Sequence, residues 1–315
     1  MRFSVIITTY NRAATVTRAV QSVLSQQGVE LELIVVDDGS TDQTPLVLSE
    51  VNDPRVHTVR RENGGMSAAR NTGIARASGD WIAFLDDDDV ALPGWLAGFA
   101  SMIDDHVGAV CCAAEYRTPE DAFAGRVTAS SMGPLYHNTS ALTLAGTFAV
   151  RTDLCRAIGG YDEEMICSQQ TELWIRLVPA MLERQLEVRT IDRALVRLEW
   201  RAMRERPLRD PAGLCHAAHA LLEKHRADFA RDPHARALYN GVLGVNAARL
   251  GLWSQARSAL WSSVRAEPLS LRPWLRLAAG CFPRVARRVW GAAGQRSPQP
   301  STEISDRLAV RQDVA

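Results

Sequence analysis

Lysine is almost missing from this sequence. Of 36 basic residues only Lys224 is a lysine, and so lopsided a ratio reads as codon-usage bias rather than phosphate recognition. Long apolar runs are missing too: Leu33–Val36 and Val107–Ala114 fall far short of the roughly 18–20 residues a membrane-spanning helix needs. Phe3–Ile7 runs straight into the polar Thr8–Arg12, unlike a signal peptide, so a cytoplasmic protein is expected. The six cysteines include no Cys-x-x-Cys pair, and only Cys215 has histidines close by, His216 and His219. Neither a zinc site nor a disulfide framework is indicated. No Gly-x-Gly-x-x-Gly and no Gly-Lys-Ser/Thr loop occurs, which disfavours a dinucleotide dehydrogenase or a P-loop NTPase.

The charge is balanced overall and divided in detail. A net charge of zero argues against a chain built to coat nucleic acid, and no nucleic-acid partner is expected. Residues 1–200 hold 17 Lys+Arg and 27 Asp+Glu, net −10, whereas residues 201–296 hold 17 and 6, net +11. We therefore expect an acidic domain over 1–205, a basic helical appendage over 206–296 that packs on it, and a polar, patternless tail, 297–315, that is disordered. Within the appendage, Ala247, Leu250-Gly251, Ala256 and Pro268 suggest a tetratricopeptide-like hairpin.

Hydropathy patterning gives the first domain its class. Residues 3–7, 31–36, 55–59, 81–85 and 107–113 are strand-like, rich in Val and Ile. Helical spacing appears between the first two (Val16, Ala19, Val20, Val23, Leu24), at 43–51 and 67–77, and after Pro93. Such a β-α-β-α series predicts an α/β fold, a mainly parallel sheet with helices on both faces. From 116 to 144 the pattern fades into a loop-rich segment. A strand at 146–150, helices at 152–158 and 170–184, and strands near 187–191 and 194–199 complete the domain.

Ligands of such sheets sit beyond the carboxyl ends of the strands. There the sequence places Thr8-Thr9-Tyr10-Asn11-Arg12 and Asp37-Asp38-Gly39-Ser40-Thr41-Asp42. An aromatic ring and a carboxylate could hold a nucleotide base, but the second segment also makes a good turn and helix cap. Asn63-Gly64-Gly65 opens a helix that carries Arg70, a candidate for an anion. The sharpest feature is Asp86-Asp87-Asp88-Asp89 after the apolar Trp81–Leu85. Four adjacent carboxylates repel one another unless a cation lies among them, and hard oxygen ligands suit Mg²⁺ or Mn²⁺.

These segments, with Ala69-Arg70-Asn71-Thr72-Gly73 and Gly159-Gly160-Tyr161-Asp162-Glu163, resemble the family 2 glycosyltransferases in order and spacing over residues 1–200. The resemblance implies the GT-A fold, a nucleoside-diphosphate-sugar donor (a UDP-sugar first among them), Mn²⁺ or Mg²⁺, and inversion at the anomeric carbon. It implies that Thr8 and Tyr10 line the base pocket and Asp38 binds the base. Asp86 would face ribose and metal, and Asp88 would be the principal metal ligand. Arg12, Arg70 and Asp87 complete the expected donor site.

One position departs from the family. Ser168-Gln169-Gln170-Thr171-Glu172-Leu173-Trp174 puts Gln170 where the family has the Asp that deprotonates the acceptor hydroxyl. An amide cannot take that proton. Glu172, two residues on, lies about 200° round the helix. Either another acid, Glu163, Glu164 or Glu172, serves as the base, or the protein binds a sugar nucleotide and transfers poorly. The reading favoured is a transferase acting on a glycan or lipid-linked acceptor, as in polysaccharide biosynthesis. A nucleotidyltransferase is disfavoured, because Thr8–Arg12 lacks a Gly-rich basic signature. Arg284, Arg287 and Arg288, with Trp253, Trp261, Trp274 and Trp290, leave room for peripheral association with the inner face of a membrane, although a solvated face with tryptophans anchored in the core is the commoner reading.

Overall fold

The computed structural model describes residues 1–118, 121–199 and 210–291. The chain divides into two compact units, Met1–Arg204 and Glu205–Ala315. The expected tail, 297–315, lies outside the described residues.

The first unit is built on a nine-stranded sheet. Its strands are β1 (Arg2–Thr9), β2 (Glu30–Asp37), β3 (Val56–Arg60), β4 (Trp81–Asp86), β5 (Val90–Ala91), β6 (Val107–Arg117), β7 (Phe123–Val127), β10 (Phe148–Arg151) and β11 (Glu187–Glu199), in the order β3-β2-β1-β4-β10-β6-β11-β5 with β7 on β6. The half from β3 to β4 is parallel. Beyond it β10 runs antiparallel to both neighbours, and β11 pairs parallel with β6 and antiparallel with β5. The sheet is thus parallel where the candidate motifs lie and mixed elsewhere.

Alternation along the strands explains the two apolar layers. Phe3, Val5 and Ile7 of β1 face α1 (Val16–Leu24), α2 (Thr44–Ser49) and α4 (Trp95–Ser101). Ile6, with Ile34, Val36 and Phe84, faces α3 (Met66–Arg76), α5 (Thr152–Ala157) and α6 (Gln169–Glu183). Every one of these strand residues is buried. The expected strands near 187–191 and 194–199 form the single strand β11, whose register slips between Ile191 and Val196. The segment 116–144 is less loop-like than its composition predicts. It contains the end of β6, β7 and the short pair β8 (Ser130–Ser131) and β9 (Ser140–Ala141), because backbone pairing needs no apolar side chain.

The second unit is helical: α7 (Pro211–Lys224), α8 (Arg226–Arg231), α9 (Pro233–Arg249), α10 (Trp253–Ala266), α11 (Leu271–Cys281) and α12 (Pro283–Trp290). Asp210 and Asp232 cap α7 and α9 by accepting from Ala212 and Ala235 N–H, each followed by a proline in the first turn. Small residues bring α9 and α10 together: Ala247, Ala256 and Ala259 are buried, and a Cβ on Gly244 would lie 2.5 Å from Leu260.

Candidate active site

The parallel register aligns the carboxyl ends of three strands, with Thr8 opposite Asp86 and Thr9 opposite Asp37. The loops that follow are stitched together by Asn11. Its Oδ1 accepts from Thr41 and Asp42 N–H at 2.7 and 3.2 Å, and its own N–H donates to Ser40 Oγ. Asn11 has φ +54°, a conformation Asn tolerates better than most residues. Tyr10 beside it is 46% exposed, which leaves its ring available to a planar group.

Asp38 organises the glycine turn. Its two oxygens accept from Gly64 N–H at 3.1 Å and Gly65 N–H at 2.8 Å, with Arg61 Nε at 3.3 Å. Gly39 is required here: φ is +83°, and a Cβ would lie 2.9 Å from the Asn63 nitrogen. Asp38 thereby ties this segment to the Asn63-Gly64-Gly65 turn, while the segment's own turn and cap come from Asp37, which accepts from Ser40 N–H, and Asp42, which accepts from Thr44 N–H.

The acidic run is a tight turn, closed by Asp89 N–H to the Asp86 carbonyl. It directs its carboxylates two ways. Asp86, Asp88 and Asp89 converge, with one ligand atom from each within 4.8 Å of the others. Asp87 turns toward Arg12, whose Nε lies 4.0 Å away. Burial pushes Asp87 up to about 7. The Thr9 hydroxyl and Arg12 pull it down, while Asp88 and Asp86 push it further up. Asp89, buried, also accepts from Glu199 N–H, and Arg18 donates to the Asp88 carbonyl and to Glu199, so α1 and β11 brace the turn. Three convergent carboxylates are a hard-oxygen donor set that fits a divalent cation. Asp89 is missing from the metal ligands expected from sequence; the Asp run held the signal, but only the turn shows which side chains converge.

Arg70 links this turn to α6. Its guanidinium, 2% exposed, donates to Asp86 Oδ1 at 3.0 Å and lies over the buried Tyr161 ring, 5.0 Å from its centroid. With its amide oxygen turned toward Arg70, Gln170 accepts from Nη1 and Nη2 at 3.1 and 3.2 Å. Ser168, just before α6, has φ +60°, a sterically costly conformation for serine.

The neighbouring acids have other partners. Glu172, 2% exposed, accepts from Nε and Nη2 of Arg176, whose guanidinium also donates to the Ile158 and Gly160 carbonyls. Glu172 is thus a buried ion-pair partner of Arg176, which ties it to the Gly159-Gly160 turn, on a different side of α6 from Gln170. Exposed Glu163 accepts from Asn71 Nδ2 at 2.9 Å, while the Asn71 amide also bonds to the Tyr161 backbone.

A mixed sheet between helical layers, with a carboxylate turn at the end of β4 and a helical region after it, defines a GT-A-type glycosyltransferase fold. Solved structures agree. TarS 1–349 of S. aureus in complex with UDP-GlcNAc is similar with a TM-score of 0.59 and 20% identity, over 93% of this chain and 90% of that one. The mannosyltransferase PcManGT from Pyrobaculum calidifontis, in complex with GDP-Man and Mn²⁺, gives 0.52 and 18% over 91% and 87%. Residues 4–159, within the first unit, match the Glycosyl transferase family 2 model. Among curated relatives, the succinoglycan biosynthesis protein ExoO of Rhizobium meliloti is 46% identical over 89 residues, 28% of this chain and 26% of ExoO. An uncharacterized glycosyltransferase of Rickettsia typhi is 27% identical over 188 residues, 56% of this chain and 58% of that protein. The chain therefore spans about a quarter of ExoO and just over half of the Rickettsia protein.

Proposed function

We propose that this protein is a metal-dependent, inverting glycosyltransferase that moves a sugar from a nucleoside-diphosphate donor, a UDP-sugar first among them, to a hydroxyl of a glycan or lipid-linked acceptor. The observation that carries the proposal is the convergence of Asp86, Asp88 and Asp89 beside the buried Arg70. When bound, Mn²⁺ or Mg²⁺ would supply charge neutralisation for the departing diphosphate. The protein's own part is to hold the donor in place. Tyr10 offers a stacking face, Thr8 and Asp38 border the base site, and Arg12 and Asp87 flank the diphosphate. Arg70, fixed between Asp86 and Gln170, presents a preorganised positive charge.

The acceptor hydroxyl must lose a proton, and Gln170 cannot take it. Glu172 is engaged with Arg176, and of the two exposed acids Glu163 and Glu164 we assign the base to Glu163, which Asn71 Nδ2 holds in place from α3. A second reading follows from the same residues: a sugar-nucleotide-binding protein with little transfer, in which Gln170 records the loss of the base. The test of the donor site is a thermal-shift screen of nucleoside-diphosphate sugars with and without Mn²⁺. Stabilisation by one donor only when metal is present supports the proposal. Stabilisation by none, or equally without metal, counts against it.

A further inference from the structure

Helices normally present one apolar face to a core and a polar face to water. In the second unit α11 and α12 each have two apolar faces, and one of them is bare. On α11 the buried face is Pro273 and Gly280, seven residues apart; a Cβ on Gly280 would lie 2.5 Å from Leu260. The opposite face carries Leu271, Trp274 and Leu275 at helical spacing, exposed by 70%, 44% and 61%. On α12 Ala286 is buried and Trp290 packs against the helical core, while Phe282, Val285 and Val289 are exposed by 63%, 47% and 62%. Two of the four tryptophans do anchor in this core, Trp253 and Trp290. The other two do not: Trp261 and Trp274 are exposed and meet edge-to-face at 6.1 Å.

The charge beside this apolar surface has one sign. Residues 268–291 contain Arg272, Arg276, Arg284, Arg287 and Arg288 and no Asp or Glu. Arg284 and Arg288 lie four residues apart along α12, next to the edge that Val285 and Val289 share. Arg276 turns inward toward Gly241 and Arg287 lies over the Trp253 ring, which leaves Arg272, Arg284 and Arg288 beside the bare face. A second copy of the chain docked there would bring three more arginines and no carboxylate from these helices to meet them. Anionic lipid headgroups over acyl chains match both features, since large apolar side chains enter the boundary layer while arginines stay with the phosphates. No helix among the described residues is long and apolar enough to cross a membrane.

We propose that α11 and α12 form a monotopic docking surface for anionic lipid bilayers, with Leu271, Leu275, Phe282, Val285 and Val289 entering the interface and Arg272, Arg284 and Arg288 binding headgroups. The test is flotation of the full-length protein with vesicles of phosphatidylcholine alone or with one third phosphatidylglycerol, at low and high salt. Binding should require phosphatidylglycerol and weaken with salt. Changing Leu275→Ser, Val285→Ser and Val289→Ser together should abolish it with an unchanged melting temperature, because all three side chains are exposed. Changing Arg272→Gln, Arg284→Gln and Arg288→Gln should weaken it on the order of a hundredfold at low salt. Failure to float, flotation that the serine variant retains, or a wild-type dimer in light scattering that the serine variant converts to monomer would each overturn the proposal.

Discussion

The two sides of the Arg70 guanidinium are built from the same kinds of side chain and differ in what the chain does with them. On the β4 side, carboxylates are crowded together: Asp86, Asp88 and Asp89 converge, and burial leaves Asp87 with a raised proton affinity. On the α6 side, negative charge is neutralised or absent. Glu172 is matched to Arg176, and the residue facing Arg70 is the neutral Gln170. Crowding like charges costs stability, and a site that keeps them crowded is suited to a cation. Pairing them removes that drive. The comparison separates acids kept for a ligand from acids used to fold, a distinction that a count of carboxylates along the sequence does not make.

The assignment of the base breaks the comparison most sharply. Glu163→Gln should lower turnover about 10²–10⁴-fold. Gln170→Asp should change it little, because the Arg70 guanidinium would hold the new carboxylate ionised and weakly basic. Release of nucleoside diphosphate in the presence of acceptor measures both. A negligible wild-type rate rescued by Gln170→Asp would instead establish the second reading.

The α6 side is next. Arg176→Met leaves the Glu172 carboxylate buried without its main partner and should cost about 3 kcal/mol or more in denaturant unfolding. The double variant Glu172→Gln/Arg176→Met should regain part of that loss. A cost below about 0.5 kcal/mol would mean that the pair behaves like an exposed one.

The smallest effect is pH-dependent. The folded pKa of Asp87, about 7, lies above its ordinary 3.8. Between these values the native state holds a proton that the unfolded chain has released, so this group's contribution to stability falls as pH rises from about 4 to about 7. Without metal, the melting temperature of the wild type should therefore decline more over that window than that of Asp87→Asn, and stabilisation by Mn²⁺ should grow with pH. Parallel curves for the two proteins would remove Asp87 from the account.

Much of this was legible in the residues. The Val- and Ile-rich runs specified β1 to β4 and β6, because alternating apolar side chains must fill two layers. The placement of Thr8–Arg12, Asp37–Asp42 and the Asp run beyond strand ends followed from that. Orientation within irregular backbone was not legible. Asp87 and Asp89 differ by two positions in a turn, where no fixed period says which way a side chain points. The pairing of Glu172 with Arg176 was a readable i,i+4 spacing. The contact between Arg70 and Gln170, a hundred positions apart, required the fold.

The most direct measurement of the central claim is calorimetric titration of the donor selected by the thermal screen into wild type and Asp88→Asn, with and without Mn²⁺. The account predicts metal-dependent binding by the wild type and a loss of more than about a hundredfold in the variant, with the fold intact by circular dichroism because Asp88 belongs to a turn and not to either apolar core. Equal donor affinity in the two proteins, or wild-type affinity indifferent to Mn²⁺, would contradict it.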